Sequence, residues 1–470
     1  WSTPPALILW EDLTDKMIKK TISQLRNALP LRRIAESRMV SRGTAVAARC
    51  NAAPFVPQML FMLLYRASLD VVYARLVSPL FAYSGFVWNP TLIMLLLSYL
   101  MVAAFAPFIA ELQNRPLPSA KLVIFLHYLY FIPMTSYCAL AAPKVTLLPI
   151  TAVYWMLLML WEYKLPVLSF KPLRVKHSQL VFILLSLFSA AVVLYISGRY
   201  TGFRLTLNFI NVYDIRAEAD GYVMPRILCY LLDFQTMMLS VEILYWLCEK
   251  KYLAVGALVI VYLFYFSIAA HKSAFFFLLL VLAGWLLYRK WQLRWCAALL
   301  MVVNALSLAE YALHKSFYIM TFFIRRMMYV PVLLSGQYQS YFSENPILFF
   351  RGGILRRLGF QSPYSLNSAH LIGEYGGAPD CAANNGLLGD MFANLPVSIG
   401  LLVMPLLLVL CFRLLDACAA RKPERLYVLF ALYFAVSFAN TSWSTVLLTH
   451  GFLLACLLLY FFPKKEGDPL

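Results

Sequence analysis

Arg325 and Arg326 sit side by side in an otherwise apolar helical stretch, Phe317 to Leu334, and Arg351, Arg356 and Arg357 follow further along. Arg216 stands earlier, in Tyr213-Asp214-Ile215-Arg216, and Lys272 in His271-Lys272-Ser273. A guanidinium pairs bidentately with phosphate oxygens, so clustered arginines suggest anion recognition. No DxD, HExxH or P-loop pattern accompanies them. The anion is therefore expected to be held without a protein-bound metal, and no cofactor is expected. A charge at membrane depth is expensive and is by default a functional hypothesis. The structural alternative is that these long side chains run up to lipid headgroups, or that Arg216 pairs with nearby Glu218 or Asp220.

A second group is rich in turn-forming residues: Asn367-Ser368-Ala369-His370-Leu371-Ile372-Gly373-Glu374-Tyr375-Gly376-Gly377, then Asn385-Gly386-Leu387-Leu388-Gly389-Asp390 and Asn394. Glycine at this density marks tight backbone, and Asn and Asp beside it mark caps and turns. An unperturbed imidazole titrates near pH ~6.5, which suits His370 to a general base; a histidine hydrogen-bonded within its own loop is the other reading. Glu374 is the second candidate base, since burial would raise a carboxylate's pKa.

The elements that position these residues follow from composition. The chain has 470 residues, 62% hydrophobic and 13% charged, with a mean hydropathy of +0.72. Soluble chains carry about 25% charged residues. The deficit excludes a soluble enzyme and points to an all-α polytopic membrane protein. Nine cysteines show no CxxC spacing and fall in or beside apolar runs, the pattern of small buried thiols rather than of a disulfide or zinc framework. The first apolar run follows some 50 mixed residues, too far in for a cleavable signal peptide. Twelve spans are expected, near 58–84, 89–111, 121–140, 144–161, 179–197, 226–247, 252–270, 273–288, 296–313, 398–416, 426–443 and 445–462. The first is the least clean, holding Arg66, Asp70 and Arg75.

The net charge of +18 is read by position rather than as a nucleic-acid signature. With twelve spans, the basic joins at 112–120, 162–178, 248–251, 289–295, 417–425 and 463–470 share one side with the basic segment 1–55. The positive-inside rule then places both termini in the cytoplasm. The rest, 56–470, is expected to be a single transmembrane domain. Two long outer segments remain, 198–225 and 314–397, the second between spans 9 and 10. Long loops are usually functional, and these two hold most of the outer cations.

In their order along 60–460, the Tyr213–Arg216 run, His271-Lys272-Ser273, Arg326 with Pro331 and Tyr338/Tyr341/Phe342, and the Asn385–Asp390…Asn394 run resemble the O-antigen polymerase family, the Wzy-type repeat-unit polymerases. The resemblance implies a metal-independent glycosyltransferase of the bacterial inner membrane with its site on the periplasmic face. It would move a growing glycan from undecaprenyl pyrophosphate onto a new lipid-linked repeat unit, with a chain-length regulator and a flippase as partners. Arg216, Arg325 and Arg326 would bind pyrophosphate, Lys272 would assist, and His370 or Glu374 would act as base. Tyr213, Arg351, Arg356, Arg357 and Tyr375 complete the candidate substrate-binding set. Residues 1–55 fall outside the pattern. The related O-antigen ligases share architecture and chemistry and remain an alternative. A transporter would fit twelve spans, but transporters usually show internal repeats, and here no matching halves are visible and the loop sizes are strongly asymmetric.

Overall fold

No water reaches the backbone in a bilayer core, so an apolar chain must satisfy its N–H and C=O groups within each segment, and helices do this. The computed structural model describes residues 55–170, 178–206, 212–269, 272–288, 295–353, 355, 358–379, 381–420 and 422–462, among which there is no strand. The basic segment up to residue 54 lies outside the described residues, and those described belong to one unit, Pro54–Leu470.

Seven helices among the described residues are long and apolar enough to cross a membrane: Leu92–Gln113, Pro118–Leu140, Gln179–Thr201, Arg226–Cys248, Cys296–His314, Val397–Cys418 and Trp443–Phe461. Tyr252–Ile268 and Ala274–Leu287 are apolar but shorter. The other expected spans are helical too: Phe55–Val72 with its continuation to Ser84, Leu147–Lys164 and Glu424–Asn440. Pro118–Leu140 is wholly buried at the centre, whereas Leu92–Gln113 turns Leu92, Ile93, Leu96 and Leu100 outward. An outward face of leucines is what lipid, rather than water, solvates. The architecture is consistent with a polytopic membrane protein.

Three helices widen into π-helix just before a proline: Tyr73–Val77 before Pro79, His127–Phe131 before Pro133, and Met320–Tyr329 before Pro331. A proline removes one N–H and its ring presses on the carbonyl four residues back; a wider turn relieves both. The three wide turns meet, and Tyr73 packs on Tyr329 at 5.1 Å.

Arg66 and Asp70 form an ion pair inside the bundle. Arg66 also donates to Thr135 Oγ1 (3.0 Å) and Ser98 Oγ (3.2 Å). Asp70 accepts from Tyr99 (2.9 Å) and Ser136 (2.6 Å), and Ser136 meets the Tyr329 hydroxyl at 2.9 Å. A second buried ionic group joins three helices: Arg413 contacts Glu162 (3.1 Å) and Asp416 (2.7 Å), and Ser119 bonds both carboxylates. Removing one member of such a pair leaves an uncompensated charge, which costs about 3–5 kcal/mol, whereas replacing both by apolar groups is close to neutral. Asp70→Ala is therefore expected to lower the melting temperature of the detergent-solubilised protein sharply, and Arg66→Met/Asp70→Leu to recover most of the loss. Equal melting of Asp70→Ala and wild type would show that the pair contributes nothing.

Candidate functional site

The segment expected as one large loop contains a long helix. Met320–Tyr329 runs straight into the α-helix Val330–Phe342, with Pro331 at its start. Both ends of this transverse helix lie at the same end of the bundle. Turns 85–91 and 141–146 share that end, because Asn89 N–H donates to Leu140 C=O at 2.8 Å. Phe317 packs on Phe81 at 6.1 Å, and at the other extremity Lys144 donates to Ser343 Oγ at 2.6 Å. The helix thus lies across the bundle end instead of running its length.

Local chemistry explains the start of the helix. Glu310 accepts from the Tyr318 and Ile319 amides, both at 2.9 Å, and from Ser316 Oγ at 2.9 Å. A carboxylate is favoured on these N-terminal N–H groups. Lys315 takes a left-handed conformation (φ 56°) to end the preceding helix. His314-Lys315-Ser316 is therefore a built turn.

The wide winding turns Met320, Ile324, Met328 and Tyr329 into the bundle, while Phe322, Phe323 and Arg326 face outward. Tyr318 stacks along Phe322 on the outward side, at 6.5 Å. Arg325 lies at the boundary, its guanidinium 4.2 Å from the centre of the Phe81 ring. Aromatic rings beside cations are the usual composition of a membrane–water interface.

Two further elements come to this place. Phe323 meets Phe276, near the start of helix Lys272–Leu287, at 6.0 Å. Helix Val212–Asp220 packs through Ile215 on Phe266 and Phe275. A string of aromatic contacts thus links the elements carrying Arg216, Lys272, Arg325 and Arg326. Arg216 is half-buried and engaged. Glu218 pairs instead with Arg204 (2.7 Å) and accepts from Tyr222 (2.8 Å); both hold its carboxyl below the usual range. Tyr213 and Lys272 are placed by their helices, and their side chains lie outside the described residues.

The histidine falls elsewhere. Asn367 caps helix Ser368–Tyr375, its Oδ1 accepting from the His370 amide (3.0 Å) and lying 2.9 Å from His370 Nδ1. An amide oxygen only accepts, so Nδ1 donates in this bond. His370 and Glu374 are four residues apart, on one helix face, and Glu374 is exposed. Tyr375 packs on Tyr341 at 5.5 Å, toward the far end of the transverse helix. Fifteen residues separate Arg326 from Tyr341, about 20 Å at a helical rise. No described contact brings His370 or Glu374 to the arginines. Arg351 bonds the Leu348 carbonyl (3.1 Å) in the next turn. Arg356 and Arg357 lie outside the described residues. Among the described residues no group of three or more His, Cys, Asp or Glu gathers to hold a metal.

The Asn385–Asn394 run is a brace. Asp390 is buried; it accepts from the Trp443 amide (2.7 Å) and from Asn394 Nδ2 (2.8 Å), and Asn394 accepts from the Phe350 amide (2.9 Å). Asn385 donates to Ser335 on the transverse helix at 2.9 Å. A Cβ at Gly386 would collide with the carbonyls of Phe438 and Thr441. Close backbone approach, then, requires this glycine.

No family model, curated protein or solved structure matches the chain.

Asp390→Ala would strand the partly buried Trp443 amide, an expected loss of about 1–3 kcal/mol in thermal unfolding. Burial pushes the Asp390 carboxyl up to about 6 from 3.8. A raised folded-state pKa stabilises the protein below the unfolded value, and that contribution is lost as pH rises through about 6. Asp390→Asn should therefore flatten the pH dependence of melting between pH 4 and 7; an unaltered profile would place the titrating group elsewhere.

Proposed function

We propose that the chain is a membrane glycosyltransferase that polymerises undecaprenyl-pyrophosphate-linked oligosaccharide repeat units into O-antigen or a related surface polysaccharide. The observation that carries it is the transverse helix, which holds Arg325 and Arg326 on one end of the bundle beside the elements of Lys272 and Arg216. Twelve spans, both termini in the cytoplasm and a bacterial inner membrane complete the proposal. The transverse helix then lies at the periplasmic interface, at the depth of a lipid-linked pyrophosphate.

The chemistry is a displacement at an anomeric carbon. The acceptor hydroxyl oxygen forms the new C–O bond, the bond to the pyrophosphate oxygen breaks, and its electron pair leaves with undecaprenyl pyrophosphate. The hydroxyl proton passes to a base. Arginines fixed before the reaction offset the charge that grows on the departing pyrophosphate. His370 is the candidate for that base. Its distance from the arginines favours an acceptor-holding role for His370, Glu374 and Tyr375, and its role as base rests on the family resemblance. The ligase alternative uses the same cations on the same carrier.

Deleting the gene and resolving the surface polysaccharide on a gel separates the two. Polymerase loss leaves single repeat units on the core, ligase loss leaves none, and an unchanged ladder would sink both. In the complemented strain, Arg216→Ala and Arg325→Ala should each lower chain growth by about 10²-fold or more while the protein still inserts. Normal chain length in both variants would return these arginines to lipid contact.

A further inference from the structure

The opposite end of the bundle holds a cavity that neither the fold nor the proposed reaction requires. It measures about 240 Å³ and is lined by Leu247, Lys250, Tyr252, Trp285, Leu286 and Arg425, with Cys248 beside them. It lies away from the arginine end, because Lys121, in the first turn of helix Pro118–Leu140, pairs with Glu424 at 3.0 Å and also donates to the carbonyl of Gln113, the last residue of helix Leu92–Gln113.

Two features mark it as built. The Arg425 guanidinium carbon lies over the Trp285 ring, 3.3 Å from its centre. Stacking uses the guanidinium's face, and hydrogen bonds are donated from its edge. Lys250 is a non-glycine residue in the left-handed region, at φ 57°. This conformation closes the end of helix Arg226–Cys248, where the Lys251 N–H donates to the Trp246 carbonyl at 2.9 Å, and it turns the chain at the cavity mouth. Lys250 is also exposed and has no ion pair among the described residues. Glu424 is engaged by Lys121, and Glu249 and Arg425 each have a further contact of their own.

Beside these cations the wall is apolar and open. Tyr252 is 67% exposed, Leu253 91% and Leu286 75%. A soluble anion would gain nothing from that surface, whereas acyl chains would cover it. We propose that this cavity binds the phosphate headgroup of an anionic phospholipid, with Lys250 and Arg425 on the phosphate and the acyl chains along Leu253 and Leu286. In the proposed orientation this is the cytoplasmic leaflet, where basic pockets between helices meet anionic lipid. The site stands whether or not the chain is a polymerase.

Native mass spectrometry of the full chain in detergent tests it, with phosphatidylglycerol and phosphatidylcholine as probes and glycerol 3-phosphate as soluble competitor. Phosphatidylglycerol should bind more tightly than phosphatidylcholine. Lys250→Gly removes the cation and suits the backbone at φ 57°, so it tests the site without straining the turn; Arg425→Gln tests the second cation. Each should weaken phosphatidylglycerol binding about fivefold and leave phosphatidylcholine unaffected. Equal binding of the two lipids, or wild-type affinity in both variants, would overturn the site. Displacement by equimolar glycerol 3-phosphate would overturn its assignment to a lipid.

Discussion

The hydrogen bonds around Asp70 govern the geometry of the arginine end. Asp70 neutralises Arg66, accepts hydrogen bonds from Tyr99 and Ser136, and through Ser136 reaches Tyr329. Four helical elements meet there, and one of them is the transverse helix. Buried polar groups without partners cost several kcal/mol in apolar surroundings, so this helix must sit where Tyr329 can complete the set. Glu310 fixes its first turn, and Asn385, through Ser335, fixes its second half. The depth of Arg325 and Arg326 follows from these three attachments.

That constraint also explains what the sequence could and could not tell. Apolar runs are a local property, and every one of the twelve expected segments is helical. Arg66 and Asp70 read as blemishes in the first run because their partners lie on other helices, at Thr135, Ser98, Tyr99 and Ser136. Phe317–Leu334 read as helical, but its position across the bundle end depends on Tyr329 and Pro331 meeting distant residues. The glycines of the Asn385–Asp390 run read as turn chemistry; at Gly386 the deciding term is the carbonyl of Phe438, far away in sequence. Of the two readings of His370, the hydrogen-bonded one is visible in its bond to Asn367. A capping bond and a base role differ in what stands opposite Nε2, and spacing along a chain carries no such information.

Charge at the arginine end is of two kinds. Arg204 is paired with Glu218, Lys144 lies against Ser343 and Glu344, and Arg351 closes its own turn on Leu348. These cations stabilise the loops that hold them. Surface pairs of this sort contribute about 0–1 kcal/mol each, so they fix local shape more than stability. Arg326 differs: it is exposed on the outward face of a rigid helix, between aromatic rings, with no ion pair among the described residues.

Snorkelling and substrate binding make different demands on such an arginine. Snorkelling needs a long flexible side chain and tolerates any backbone near the interface. A group that offsets developing charge must already be in place before the charge appears, since reorganisation during the reaction would cost what the interaction gains. The Arg325–Arg326 backbone is held on both sides, by Glu310 at the helix start and by Tyr329 one turn later. The Arg325 guanidinium is itself seated on Phe81. So much fixation is more than contact with a fluid headgroup layer requires and fits the proposed role of these arginines in holding a leaving pyrophosphate.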